Sequence, residues 1–375
     1  WIAIKFPNFS PVTILGQDRF KTCPYAFFPP LTFYYFPMPN SQITWKINLQ
    51  QIREKYQLSP TGKQVVQDWI QAIKDIFSGK DKRKLLIIWP CSADFEESLM
   101  EYAEFVAWLR EKYGDKLEIV MRFYAGKPRT IGGWKWMIQQ EVWQKIDYER
   151  WLSKSREIAI KIIEKCKIPL DTELLYPEFI ELFEDIFSFL IIWARSTENQ
   201  YHREVASGLD NPMGFKNPTS GDIEIMINSI LASQIPSFYV VWNDIFKSNG
   251  NPYSAWILRW WKIDWILKPN YDKESLKKTY ELLIKSGVPN PSFLVDTNHD
   301  NSGKKYEKQI EILEDVLKSV KELEEEWLNI NETFKWFLIE SYLFDWRQDF
   351  TSLDKIQKWL SLTDPCMGLE KTQKL

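Results

Sequence analysis

Residues 85–92 read LLIIWPCS and residues 117–122 read LEIVMR, and these two apolar runs decide the fold class. Each run has the length of a buried strand. Cys91 follows the apolar part of the first run and Arg122 ends the second, and both side chains can bind metals or anions. The residues between them, 96–113, have the apolar spacing of a helix. Two buried strands joined by a helix are typical of a parallel sheet with covering helices.

The same alternation continues along the chain. Six more buried strands are predicted at 173–175, 189–192, 213–216, 256–259, 293–296 and 334–340, with 85–88 as the first strand. Helical spacing is found at 64–77, 96–113, 151–166, 222–234, 273–286 and 304–325. Eight strands alternating with helices predict an α/β fold, a closed (β/α)₈ TIM barrel. Residues 238–250 interrupt the alternation, which indicates a hairpin insertion before the sixth strand.

Side chains able to bind anions or metals are found at the ends of the predicted strands. A barrel of this class carries its active site at the carboxyl ends of its strands. Seven residues fall there: Cys91, Arg122, Arg195, Lys216, Arg259, His299 and Glu340. Each one alone would more commonly be a core residue or a surface ion pair, but seven at one level of a barrel predict a functional site.

Several motifs resemble those of the class I synthases of 3-deoxy-D-arabino-heptulosonate 7-phosphate (DAHP), which open the shikimate pathway to aromatic amino acids. They include KPRT at 127–130, QYHREVASG at 200–208 and DTNHDNSGK at 296–304. KPRT is the most specific, because the related 3-deoxy-octulosonate 8-phosphate synthase has another sequence there. The resemblance predicts a barrel domain with an N-terminal helix over residues 44–375. Residues 1–43, rich in proline and aromatic side chains, match nothing in the family.

The resemblance implies a reaction and a division of labour among the cations. The family condenses phosphoenolpyruvate with D-erythrose 4-phosphate and water, giving DAHP and phosphate (EC 2.5.1.54). Arginine and lysine suit such anionic substrates because guanidinium groups bind phosphate bidentately and stay charged. By resemblance, Arg195, Lys216 and Arg259 hold the phosphate of phosphoenolpyruvate, and Arg122 and Lys127 face its reacting end.

The remaining site residues are also assigned by resemblance. Arg129 and Thr130 would hold the phosphate of erythrose 4-phosphate, and Ala194 would line the substrate site. Lys127 is the candidate proton donor, and His202 is a second candidate catalytic residue. Family members are commonly dimers or tetramers, so a homo-oligomer is expected.

A divalent metal is expected because Cys91, His299, Glu340 and Asp364 match the ligand types of the family. A thiolate, an imidazole and two carboxylates suit Mn²⁺, Fe²⁺, Co²⁺ or Zn²⁺ better than Mg²⁺. The chain has only two histidines, and both lie inside family-like motifs.

Tryptophan replaces the glycine that the family has at nine positions. They are Trp89, Trp136, Trp151, Trp193, Trp260, Trp261, Trp336, Trp346 and Trp359. The chain has 14 glycines and 19 tryptophans in 375 residues, about half the typical glycine share of ~7%. Since drift would not choose one replacement nine times, our hypothesis is a decoding difference, in which UGA codons meaning glycine are written as tryptophan.

Composition narrows the function further. A net charge of −3 and a pI near 5.8 offer no basic field for nucleic acid. Four scattered cysteines and no signal-like or membrane-spanning run favour a reducing, cytoplasmic location. Two alternatives to a DAHP synthase stay open: a catalytically silent relative that binds an anion or a partner, and an octulosonate-type synthase. The metal used in the cell and any feedback inhibitor also stay open.

Overall fold

The computed structural model describes residues 47–91, 93–126, 147–241, 244–263, 266–348 and 355–375. Its strands are β1 Lys84–Trp89, β2 Leu117–Arg122, β3 Leu170–Glu173, β4 Phe189–Ile192, β5 Met213–Lys216, β6 Phe238–Val241, β7 Asp244–Lys247, β8 Ser254–Leu258, β9 Trp261–Ile263, β10 Ile266–Lys268, β11 Phe293–Asp296 and β12 Phe334–Glu340. Eight of them close into a barrel in the order β1-β12-β11-β8-β5-β4-β3-β2. All neighbouring pairs in the barrel are parallel, which confirms the predicted fold class.

The helices are α1 Leu49–Lys55, α2 Pro60–Phe77, α3 Glu96–Tyr113, α4 Tyr148–Cys166, α5 Gln200–Gly208, α6 Ile223–Gln234, α7 Lys273–Ser286, α8 Gln309–Glu325, α9 Ile330–Thr333 and α10 Leu369–Thr372. Local sequence explains where several of them begin. The side chains of Asp147, Asn199 and Asp272 each accept a hydrogen bond from a backbone N–H in the first turn of α4, α5 and α7. None of the described helices is long and apolar enough to cross a membrane.

The side-chain alternation of the strands sorts residues between the barrel interior and the surrounding helices. Leu85, Ile87 and Trp89 of β1 point inward and pack with inward residues of the other strands. The last turn of α2 packs against the same interior cluster, and the Phe77 ring meets Phe189 of β4 edge-on at 6.1 Å. The helix α2 therefore covers one end of the barrel, and the opposite rim is left for polar side chains.

Most predicted elements are confirmed, but several strand or helix boundaries were wrong, among them the starts of α2 at Pro60 and α4 at Tyr148. The third strand ends at Glu173 rather than beginning there, because residues 174–175 already belong to the loop. The sixth barrel strand is β8, which ends at Leu258, so Arg259 follows the strand instead of ending it. Helix α8 begins at Gln309, after a 3₁₀ turn over Tyr306–Lys308. The predicted insertion is the antiparallel hairpin β6–β7, and a second hairpin, β9–β10, was not predicted.

Three tryptophans have backbone conformations that favour glycine. Their φ angles are +67° at Trp327, +137° at Trp336 and +82° at Trp346. Trp327 follows α8, where its N–H bonds to the carbonyl of Glu324 and the N–H of Leu328 bonds to that of Leu323. This pair of bonds is a Schellman motif, whose left-handed residue is usually glycine. Trp336 lies at a register shift between β11 and β12, and Trp346 lies in the loop after β12.

Candidate active site

Charged residues form one layer at the carboxyl-terminal rim of the barrel. Strand alternation brings the last residue of six strands to this layer: Trp89, Arg122, Glu173, Lys216, Asp296 and Glu340. All six are buried, and five of them are ionisable. Buried charges are costly unless they are paired, so the contacts among these side chains decide what the layer can bind.

Arg122 is the centre of the layer. Its guanidinium donates from Nε and Nη2 to the carbonyl oxygen of Pro90, at 3.2 and 2.9 Å. Nη1 lies 3.8 Å from Oε1 of Glu173, and Nη2 lies 3.7 Å from Oε1 of Glu340. Both carboxylates are therefore within Coulomb range but at loose distances.

Lys216 forms a buried ion pair with Glu173. The ammonium contacts Oε1 of Glu173, and the hydroxyl of Tyr124 donates to Oε2 at 2.9 Å. Burial alone would raise the pKa of Glu173, but Lys216 and Arg122 lower it to about 2. Burial also lowers the pKa of Lys216 to about 8, against the opposing effect of Glu173. Both groups therefore stay ionised near pH 7.

Asp296 joins the cationic side of the layer to His299. Its Oδ2 lies 2.8 Å from Nδ1 of His299 and 3.5 Å from Nε of Arg259. Burial alone would raise the pKa of Asp296, but His299, Arg259 and Lys216 lower it to about 2. Because the Asp296 carboxylate lies beside Nδ1, Nε2 is the imidazole nitrogen that would bind a metal ion. That Nε2 lies 3.6 Å from Oε1 of Glu340.

Two of the predicted metal ligands are direct neighbours. His299 and Glu340 are neighbours, whereas the sulfur of Cys91 is bonded to that of Cys366, with Cα atoms 7.0 Å apart. Among the described residues, no three His, Cys, Asp or Glu side chains are arranged as a metal-binding group. The segment of Asp364 is nonetheless close, because the hydroxyl of Thr363 donates to the carbonyl of Cys91 at 3.1 Å. The residue types fit a borderline divalent ion once the disulfide is reduced.

The other predicted site residues have different outcomes. Ala194 is buried and Arg195 is exposed in the loop after β4, and the guanidinium carbon of Arg195 lies 4.4 Å from the Trp193 ring centre. His202 is buried in the first turn of α5, and burial lowers its pKa. Lys127, Arg129 and Thr130 lie outside the described residues. Among the described residues, the ring contact of His202 is with Tyr201, at 6.5 Å between ring centres, and not with the charged layer.

Indole rings cover the cations that were predicted to bind substrate. The ring centre of Trp89 lies 4.2 Å from the guanidinium carbon of Arg122 and 4.0 Å from Nζ of Lys216. Trp89 is fully buried and also meets the His299 ring edge-on at 6.2 Å. The Trp260 ring centre lies 4.6 Å from the guanidinium carbon of Arg259. With these indoles in place, the volume between the cations is filled by protein.

Sequence reasoning missed four polar residues in or next to the layer: Asp171, Glu173, Asp296 and Asn298. Glu173 and Asp296 were included in predicted strands but were given no role. The usable signal was a charged residue inside an apolar strand, one residue before a loop. Asp171 and Glu173 are two apart on β3 and both are buried, as the alternation requires for a shared face. Burial raises the pKa of Asp171 to about 8.

A parallel eightfold barrel with buried cations at the carboxyl rim defines a class of enzymes that act on small anionic substrates. The model of the DAHP synthetase I family matches residues 51–373. The chain is 32% identical over 327 residues to the Trp-sensitive phospho-2-dehydro-3-deoxyheptonate aldolase of Escherichia coli K12, covering 86% of this chain and 90% of the relative. The Tyr-sensitive enzyme of the same strain is 33% identical over 333 residues, covering 87% and 90%.

A solved structure agrees with the sequence relatives. The phospho-2-dehydro-3-deoxyheptonate aldolase of Francisella tularensis SCHU S4 superposes with a TM-score of 0.81 and 27% identity, covering 90% of this chain and 96% of that one. The chain therefore belongs to the DAHP synthetase I family, a family of transferases classed as EC 2.5.1.54. The family activity is the condensation of phosphoenolpyruvate with erythrose 4-phosphate in the shikimate pathway.

Proposed function

We propose that this protein condenses phosphoenolpyruvate with D-erythrose 4-phosphate and water in a metal-dependent reaction, releasing DAHP and inorganic phosphate. The observation that carries the proposal is the charged layer, whose Arg122, Lys216 and Glu340 are accompanied by Arg259 and His299 at the same rim. Three buried cations suit a substrate with a phosphate and a carboxylate. The imidazole and the carboxylate are donors of the kind that hold Mn²⁺, Fe²⁺, Co²⁺ or Zn²⁺.

The residues have separate tasks in the proposed reaction. A new bond joins C3 of phosphoenolpyruvate to the aldehyde carbon of erythrose 4-phosphate, water adds at C2, and the phosphate leaves. Arg195, Lys216 and Arg259 hold the phosphate of phosphoenolpyruvate, and Arg122 holds its reacting end. Fixed cations offset the repulsion between two anionic substrates and hold them in reacting geometry.

The metal would be held by Cys91, His299, Glu340 and Asp364 in the reduced protein. When bound, it would supply a Lewis acid for the aldehyde oxygen or for the water. Lys127 is the proposed proton donor to the aldehyde oxygen, and His202 is proposed to assist catalysis. Arg129 and Thr130 are proposed to bind the phosphate of erythrose 4-phosphate, and Ala194 to line the phosphoenolpyruvate site. We further propose a cytoplasmic homo-oligomer, a dimer or a tetramer.

We also propose that the functional polypeptide has glycine at the nine tryptophan positions and at Trp327. Support comes from the backbone, since Trp327, Trp336 and Trp346 have positive φ, where glycine is favoured by about 1–2 kcal/mol. Trp327 was not among the nine positions found by resemblance, so its positive φ alone adds it to the proposed glycine positions. At position 89, glycine would vacate the space between Arg122 and Lys216.

Turnover by the glycine form, reduced with dithiothreitol, tests the proposal. We expect phosphate release that requires both substrates, stops with EDTA and returns with Mn²⁺. A five-carbon aldose phosphate in place of erythrose 4-phosphate separates the octulosonate-type reaction, for which it would be the better substrate. Undiminished turnover after exhaustive chelation would contradict the metal requirement. Absence of turnover with either aldose phosphate would favour the silent relative.

A further inference from the structure

Asn298 connects the segments that carry three of the four proposed metal ligands. It is buried, next to His299 in the chain, and its Nδ2 donates to Oε2 of Glu340. The same Nδ2 lies 3.5 Å from the carbonyl oxygen of Pro365, the residue after Asp364. The carboxamide of Asn298 therefore contacts the Glu340 side chain and the backbone beside Asp364. Asn298 is also the residue before His299 in the chain.

The orientation of this amide is fixed by its other contacts. Oδ1 of Asn298 accepts a hydrogen bond from the hydroxyl of Ser302 at 2.8 Å, which directs Nδ2 toward Glu340. The backbone N–H of Asn298 donates to Oδ1 of Asp296 at 3.0 Å. An aspartate could not replace this amide, because it would face the Glu340 carboxylate without a donor. An alanine would make neither side-chain contact.

Two different residues hold the two parts of Glu340. Gln309 binds its backbone, since Nε2 donates to the Glu340 carbonyl at 2.9 Å and Oε1 accepts from the Glu340 N–H at 2.8 Å. Asn298 binds the side chain at Oε2. The other oxygen, Oε1, is left on the side of His299, 3.6 Å from its Nε2. The carboxylate is thus held so that a single oxygen faces the imidazole donor.

We propose that Asn298 is a positioning residue of the metal site, which keeps Oε2 of Glu340 occupied and presents Oε1 beside Nε2 of His299. Ser302 supports it by orienting the amide. The proposal rests on the metal requirement proposed above and adds a residue outside the ligand set. Partners of this kind typically change metal affinity by about 10- to 100-fold when they are removed.

The test is Mn²⁺ binding by isothermal titration calorimetry to reduced, substrate-free protein. We expect Asn298→Ala to bind Mn²⁺ about 10- to 100-fold more weakly than the parent. Ser302→Ala should show a smaller loss, because the amide keeps its donors and loses only its orienting partner. Asn290→Ala is the matched control, since Asn290 also donates to a backbone carbonyl, that of Pro252 at 3.0 Å, away from the rim. The control should bind Mn²⁺ like the parent.

A second readout separates positioning from folding. Co²⁺ bound to Asn298→Ala should have a changed visible absorption spectrum, because the Glu340 carboxylate would no longer be held in one orientation by the Asn298 amide. The thermal midpoint of each metal-free variant reports any general loss of stability. Equal Mn²⁺ affinity and equal Co²⁺ spectra in the parent and Asn298→Ala would overturn the inference while leaving the metal requirement intact. A parent that binds no Mn²⁺ would overturn both.

Discussion

The ammonium of Lys216 lies 4.0 Å from the ring centre of Trp89, inside the barrel and away from solvent. This contact joins a cation proposed to hold the substrate phosphate to an indole ring that covers that cation. A buried cation over an indole face is stabilised by about 2 kcal/mol, so the pair is a stable substitute for a bound anion. It makes Trp89 the first position to change.

The Trp89→Gly change should create phosphoenolpyruvate binding in a chain that otherwise keeps its tryptophans. We expect at least a tenfold gain in affinity, because the indole no longer covers Arg122 and Lys216. Calorimetric titration with phosphoenolpyruvate measures it. Trp108→Gly, on the exposed face of α3, is the control and should leave the affinity unchanged. Tight binding by the unaltered chain would show that the indole does not block the site.

Trp327→Gly should stabilise the protein by about 1 kcal/mol, because glycine adopts φ of +67° without strain. Trp108→Gly is the same chemical change inside α3, where glycine should destabilise by about 0.5 kcal/mol relative to an ordinary helix residue. Urea unfolding of the two variants measures both effects. Opposite signs are expected, and a loss of stability in Trp327→Gly would count against a glycine requirement at the end of α8.

Oxidation should control metal binding through Cys91 and Cys366. Their Cα atoms are 7.0 Å apart and their sulfurs are bonded, and a thiol in a disulfide is not available to a metal. Metal-free protein should lose Mn²⁺ binding under mild oxidant and recover it with dithiothreitol. Cys366→Ser should stay competent under the same treatment, because Cys91 then has no partner. Oxidised parent protein that binds Mn²⁺ normally would exclude Cys91 as a ligand.

Arg129→Ala should weaken erythrose 4-phosphate more than phosphoenolpyruvate in the active glycine form. A lost charge-assisted hydrogen bond costs about 1.5–3 kcal/mol, which is roughly a 10- to 150-fold rise in the KM of the affected substrate. Arg259→Ala is the matched variant and should show the reverse preference, since Arg259 contacts Asp296 of the charged layer and is proposed to hold the phosphate of phosphoenolpyruvate. Steady-state kinetics, with each substrate varied in turn, measures the effect of each variant on the KM of each substrate. Equal effects on both substrates would refute the division of the cations.

Asp171→Asn should flatten the dependence of stability on pH. Burial raises the pKa of Asp171 from 3.8 to about 8, with Arg122 and Lys216 opposing the rise and Glu173 adding to it. Because the folded pKa lies above the unfolded one, the stabilisation is fully present below pH 4 and is lost as pH rises toward 8. The Asp171→Asn variant should not lose this stability, because asparagine does not ionise. Urea midpoints measured from pH 5 to pH 8 should fall less steeply in the variant, and parallel slopes would refute the raised pKa.

The sequence predicted the barrel because buried strands and amphipathic helices have different apolar periods, which survive the tryptophan replacements. It also predicted the cations at the rim, since strand ends can be located from the same pattern. It could not predict the contacts of Asp296 with both His299 and Arg259, or of Asn298 with Glu340. The contacts of Asp296 with Arg259 and of Asn298 with Glu340 join segments that are far apart in the chain, whereas His299 is three residues from Asp296 and their contact depends on the shape of the loop after β11. The Cys91–Cys366 proximity was predicted only because Cys366 is two residues from a proposed ligand.

If the proposed UGA codons are present, the position of Trp89 determines the length of the polypeptide that an ordinary expression host would make from the gene. Most hosts stop translation at UGA, and among the ten proposed positions residue 89 comes first. The product would end inside β1, which in the complete chain pairs with both β2 and β12. Such a fragment would contain no second barrel strand and no rim. Its failure to fold would result from truncation in the host and would say nothing about the stability of the complete enzyme. A synthetic gene with glycine codons avoids this truncation.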